Sequence, residues 1–184
     1  MSWLNILACT SLCAIALSAC ASTSSTPQHK APPPISEGEV SASGFITTRH
    51  PDGSGGLRLA SDSGGNGWSV DCRKDAMTDR RTCQFSNRGI FVYYGVSSTP
   101  QEICAFGHSF PGRIAQIRID SNAPVSTNGD GCAPASKLLA QMTGANQVTT
   151  RVYTWPYDYP VDKVFTLAGF KEAIALADDL RKLP

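Results

Sequence analysis

From Gly44 onward the chain alternates short apolar-polar runs with clusters of Gly, Pro, Asn and Asp, the pattern of a protein built from strands and turns. Gly44–Arg49 predicts a first strand, and His50–Gly67, rich in Gly and Ser, predicts a long hairpin or loop interrupted by Leu57-Arg58-Leu59. In Trp68–Cys72 the alternation puts Trp68, Val70 and Cys72 on one face. Thr82–Ser86 predicts the next strand, and Ile90–Val96, β-branched and aromatic throughout, predicts a central strand buried on both faces. Glu102–His108 follows, then Arg113–Asp120 with Ala115, Ile117 and Ile119 pointing inward, then Val148–Trp155 and Val161–Leu167. Two helices interrupt the strands. Pro134–Thr143 is short, with Pro134 suited to a first turn and Gly144 to a stop. Ala168–Lys182 is amphipathic, carries Phe170, Ile174 and Ala177 on one stripe, and is expected to pack on one edge of a sheet. The pattern predicts a mainly β protein, an antiparallel β-sandwich with one short helix and a C-terminal amphipathic helix.

The N-terminal pattern is of another kind. Residues 1–19 carry no charged side chain, and Trp3–Ala19 is mostly apolar, at the short end of what spans a bilayer, closing on small residues. That is the form of a signal peptide rather than of a stable membrane-spanning helix. Leu17-Ser18-Ala19-Cys20 resembles the bacterial lipobox. The resemblance implies acylation of Cys20 and cleavage before it, so that acyl chains hold the mature protein on a membrane without spanning it. It also implies the periplasmic face of the outer membrane, because Ala21-Ser22 lacks the Asp associated with inner-membrane retention. Ser, Thr and Pro dominate Ala21–Val40, which reads as a tether too poor in apolar residues to fold alone. His29 lies in it. The expected organisation is a signal peptide over 1–19, a lipidated Cys and tether over 20–40, and a β-sandwich domain over 41–184.

Charge and cysteine content narrow the classes. A formal net charge of +1 in 184 residues argues against a nucleic-acid partner. Of seven Cys, Cys9 and Cys13 leave with the signal and Cys20 is the lipidation site, which leaves Cys72, Cys83, Cys104 and Cys132. An even number in an exported domain reads as two disulfides. Three pairings are open. The expected one is Cys72–Cys83 with Cys104–Cys132, because Cys72 and Cys83 flank a polar, turn-like stretch and face each other across a hairpin. No CxxC or Cys/His spacing supports zinc, so neither metal nor cofactor is expected.

Several of these segments together resemble the invasion-associated locus B (IalB) family of bacterial envelope proteins. They are Trp68-Ser69-Val70-Asp71-Cys72 followed by Cys83, Gly131-Cys132 before a helix with Leu138, Leu139 and Met142, and the ending Phe165-Thr166-Leu167-Ala168-Gly169-Phe170-Lys171-Glu172-Ala173-Ile174. Their order and spacing match the family over about residues 65–180. The resemblance implies an immunoglobulin-like β-sandwich, an exported non-enzymatic protein and an envelope or host protein as partner. It carries over no catalytic residue.

Other candidates stand beside plainer readings. Ser61-Asp62-Ser63-Gly64-Gly65 is similar to the Asp-Ser-Gly-Gly around the nucleophile of chymotrypsin-like proteases, but a triad needs a His and a carboxylate held beside the Ser. Gly/Ser repetition reads more simply as a flexible loop. An envelope hydrolase would require Ser63 or Ser109 within reach of a His. His50 and His108 otherwise read as surface or turn residues. Asp71–Arg81 offers Arg groups to an anionic partner, or else forms a solvated hairpin tip with interleaved charges. Tyr153, Trp155, Tyr157 and Tyr159 cluster around Pro156 and Pro160. They serve either as core and corner packing or as an exposed binding surface for a protein, glycan or lipid.

Overall fold

The computed structural model describes residues 36–61 and 66–183. The expected signal peptide, Cys20, His29, most of the expected tether, and Ser63 with its Gly neighbours lie outside the described residues. The described chain is mainly β, an antiparallel two-sheet sandwich with a short helix and a C-terminal helix. Strands β1 (Ser36–Val40), β2 (Phe45–Arg49), β3 (Ser54–Leu59), β4 (Trp68–Lys74), β5 (Arg81–Ser86), β6 (Ile90–Gly95) and β7 (Glu102–Ala105) form a continuous meander. After β8 (Gln116–Ile119) and β9 (Val125–Ser126), β10 (Cys132–Pro134) returns to pair with β7 and completes an eight-stranded sheet. A 3-10 turn at Ala135–Lys137 and helix α1 (Leu139–Met142) lead into β11 (Gln147–Thr154) and β12 (Tyr157–Thr166). The second sheet has the order β12-β11-β8-β9, and α2 (Phe170–Arg181) ends the described fold.

Burial follows the alternation. In β4, Trp68, Val70 and Cys72 are buried, and in β8 Ile117 and Ile119 are, with Ala115 just before them. These side chains share one apolar cluster with β11 and α2. Four rings mark its centre: Trp68 and Phe85 lie 5.4 Å apart, and Phe170 of α2 stands 5.6 and 5.7 Å from them, with Tyr94 6.0 Å from Phe85. The Trp68 indole N–H donates to the Ala168 carbonyl at 2.8 Å, which fixes the entry to α2.

Four expectations are corrected or narrowed. The fold begins before residue 41, because β1 pairs with β2 across Ser36↔Arg49 and Val40↔Ile46. The glycine-rich stretch after His50 takes the hairpin form of its two expected forms and not the loop: β3 pairs with β2 and β4 through Gly55 and Gly56. A Cβ on Gly55 would sit 2.8 Å from the Thr48 carbonyl oxygen and 3.0 Å from Leu180 Cδ1. Glycine there admits both the neighbouring strand and the helix, so its choice reflects close packing rather than a loop. Strand β6 buries Ile90, Val92 and Tyr94 only, while Tyr93 is exposed and Phe91 half-buried. Finally, α2 lies across β3, β4 and β5 on the sheet face, not on an edge. Its buried side is Phe170, Ala173, Leu176, Ala177 and Leu180, with Ile174 at the margin. Gly169 caps its start at φ +80°, where a Cβ would also press on Phe45 and Leu57.

The disulfides join directly opposed residues on neighbouring strands, Cys72 to Cys83 across β4–β5 and Cys104 to Cys132 across β7–β10. The first is buried beneath α2. The second is half-buried, on the sheet face opposite Ile103, Ala105 and Ala133.

Candidate binding surface

Strand β11 and strand β12 form a long hairpin whose end projects past the core. Trp155, Tyr157 and Tyr159 are 62%, 59% and 56% exposed, whereas Tyr153 is half-buried. Of the four aromatics, then, one packs and three face solvent. The Tyr157 and Tyr159 rings lie 5.8 Å apart at 43°, and Phe110 stands 5.3 Å from Trp155. The peptide bond between Trp155 and Pro156 is cis.

The hairpin is held by the loop after β7. The Ser109 and Phe110 backbone N–H groups donate to the Tyr153 carbonyl at 2.9 and 3.1 Å. The Thr154 hydroxyl donates to the Gly107 carbonyl at 2.9 Å, and the Trp155 N–H donates to Ser109 Oγ at 3.2 Å. His108 closes the clamp. Its Nδ1 accepts from the Tyr153 N–H and its Nε2 donates to the Arg113 carbonyl, both at 3.2 Å. This geometry requires the tautomer with hydrogen on Nε2. Both His108 and Ser109 therefore serve the hairpin backbone. His50 sits in the β2–β3 turn, half-buried.

Two forked ion pairs complete the frame. Arg113 Nε and Nη2 each donate to Asp158 at 2.6 Å, and the same guanidinium lies 5.5 Å from the Tyr153 ring centre. Arg151 makes the equivalent pair with Asp162 at 2.7 and 2.6 Å. Hydrogen bonds from the guanidinium groups hold both carboxyls below the usual carboxylate range. Surface pairs add little stability each, but a bidentate fork fixes orientation.

The types and clustering of the aromatics were visible in the sequence. The clamp was not: its contacts run mostly through backbone atoms 45 to 47 residues away in the chain. The Arg113–Asp158 pair likewise spans 45 residues and has no local signal.

The basic run Asp71–Arg81 forms the β4–β5 hairpin tip. Arg73 pairs with Asp71 at 2.7 Å and Lys74 with Asp79 at 3.7 Å, while Arg81 donates to the Cys72 carbonyl. Hydrogen bonds from Thr78 and Met77 to the Asp75 carboxylate close the turn and lower its pKa. Among the described residues there is no cluster of metal-ligating side chains and no helix long and apolar enough to cross a membrane.

Comparison with known protein families, with curated proteins and with solved structures finds no match to this chain.

Proposed function

We propose that the protein is a non-enzymatic binding module of a bacterial envelope lipoprotein, of the IalB type, which holds an envelope or host protein through the β11–β12 hairpin. The observation that carries this reading is the exposure of Trp155, Tyr157 and Tyr159 on a backbone fixed by the 107–113 clamp. Exposed, preordered Trp and Tyr side chains are the residues that dominate protein interfaces, since they bury much area at little entropic cost. The lipobox-like Leu17–Cys20 adds an acyl anchor on the periplasmic face of the outer membrane.

The test is in-cell crosslinking of the full chain, with mass spectrometry of the captured proteins. Replacing Trp155, Tyr157 and Tyr159 by Ala, with the fold checked by circular dichroism, is expected to weaken capture by at least about tenfold, the scale of one hot-spot residue. Capture of the same proteins at equal yield by the triple variant would overturn the reading.

A glycan or lipid headgroup is the second reading. The neighbouring Tyr157 and Tyr159 rings beside the exposed Arg113–Asp158 fork favour it, because rings stack on sugar faces and the fork supplies planar polar groups. Quenching or shift of tryptophan emission by purified envelope glycans, lost in Trp155→Ala, would select it.

A further inference from the structure

The β5–β6 turn ties the two sheets together at one end of the sandwich. Asn87 Nδ2 donates to the Thr166 carbonyl at 3.3 Å, at the end of β12 away from Tyr157. Beside this tie a groove of about 460 Å³ crosses the outer face of the large sheet, the face turned away from α2. A hollow of about 200 Å³ adjoins it and shares Gly67, Trp68, Asn87 and Arg88 in its walls. The groove has a chemical order across the strands. Arg58 stands on β3, Ser69 on β4 and Ser86 on β5; Arg88 follows in the turn, and Phe106 closes the far end just after β7. Four strand steps separate the backbones of Arg58 and Phe106, about 19 Å.

No carboxylate is among the described residues that line the groove. The Arg58 guanidinium is exposed and makes no ion pair with a described residue. Ser69 lies directly opposite Ser86, and neither hydroxyl bonds to a described residue. Phe106 is 60% exposed, on backbone held by its N–H, which donates to the Gly89 carbonyl at 3.0 Å. Asn87 Oδ1 accepts from the Gly89 and Ile90 N–H groups at 2.8 and 2.9 Å. The turn that carries Arg88 is therefore ordered before anything binds, which lowers the entropic cost of binding.

We infer that this groove binds a short oligosaccharide bearing carboxylates. Its acid groups sit on Arg58 and Arg88, its hydroxyls on Ser69 and Ser86, and one sugar face on Phe106. A guanidinium fork takes the two oxygens of a carboxylate together. The serine hydroxyls both donate and accept, as sugar hydroxyls do. An aromatic face is electron-rich and packs on the C–H side of a pyranose. A lipid or protein surface fits less well, because Phe106 is the one large apolar side chain exposed among the described residues of the groove. The site stands apart from the end of the β11–β12 hairpin and does not depend on the protein-binding reading.

Equilibrium dialysis of the full chain against trigalacturonate tests this. Binding is expected, and Arg58→Gln should weaken it at least about tenfold, the scale of one charged hydrogen bond. Phe106→Ala should weaken it at least about threefold, the scale of one ring contact. Both positions are exposed, and circular dichroism checks the fold of each variant. Maltotriose, of the same length but uncharged, should bind at least about tenfold more weakly. The variant with Trp155, Tyr157 and Tyr159 replaced by Ala should bind trigalacturonate unchanged. No binding at millimolar trigalacturonate overturns the inference, as does equal affinity for maltotriose or undiminished binding by both groove variants. Loss of binding in the hairpin variant would place the sugar there instead, and tighter binding to phosphatidylglycerol vesicles than to trigalacturonate would make the groove a lipid site; either result overturns it.

Discussion

Tyr94 lies 1% exposed, and its hydroxyl has no hydrogen-bond partner among the described residues. Burial pushes its pKa up to about 12; Asp178 adds to the shift and Arg181, 6.0 Å from the ring centre, opposes it. The hydroxyl is neutral in the fold between pH 10 and 12 while the unfolded tyrosine, titrating near 10, has begun to ionise. The unfolded chain therefore holds fewer protons, and stability falls as pH rises through that window. By pH 11.5 the loss from this one group is expected to be about 2 kcal/mol. Tyr94→Phe should remove that loss and be neutral or slightly stabilising at pH 7, because it deletes a buried hydroxyl that makes no bond. Urea midpoints of both proteins between pH 8 and 11.5 check this. Parallel pH profiles would show that the phenol is not the titrating group.

At the scale of elements the two disulfides differ in their cover. Cys72 and Cys83 are 0% and 1% exposed, with the Ala177 carbonyl oxygen of α2 3.6 and 3.9 Å from their sulfurs. Cys104 and Cys132 are only half-buried. A mild reductant with an alkylating agent is therefore expected to label Cys104 and Cys132 in the native protein, and Cys72 and Cys83 only after unfolding. Equal labelling rates would mean that α2 does not shield the first bridge. With sequence separations of 28 and 11 residues, loop closure assigns the bridges about 3.5 and 3 kcal/mol respectively. Much of this layer was legible beforehand. Strand β4 and the Ala115, Ile117 and Ile119 row showed themselves by period two, and α2 by its stripe. Strand β3 did not, because alternation is read from side chains and Gly55 has none; what places glycine there is the Thr48 carbonyl on the neighbouring strand together with Leu180, far along the chain. Strand β12 begins four residues before the expected Val161, since a run of exposed aromatics and prolines on an edge lacks the apolar rhythm of a covered strand. The aromatic surface was likewise readable as residue types, while its exposure depended on how far the hairpin overhangs the core.

The two sheets and α2 enclose one apolar cluster, so the described fold is expected to unfold as one cooperative unit. With Trp3 and Trp155 both changed to Phe, the buried Trp68 becomes a core reporter, and its emission and the far-ultraviolet circular dichroism should change at the same denaturant midpoint. Separated midpoints would show that the sheets come apart in stages. That unity also sets an order of events during synthesis. The meander from β1 to β7 grows by joining each strand to the one just made, so its ladder can assemble while the chain is still emerging. Its inner face has no such neighbour to wait for. The Trp68 indole finds its acceptor 100 residues later, and Cys72 lies against a carbonyl 105 residues later. Until α2 arrives, Trp68, Val70 and Phe85 line an open greasy sheet, the surface that chaperones hold and that drives unfinished chains to clump. A ribosome stalled after β12 would thus release a chain that carries every strand of the large sheet but no cover over β3–β5, and quality control would meet it as a sticky, unfinished product rather than as a shortened but usable protein.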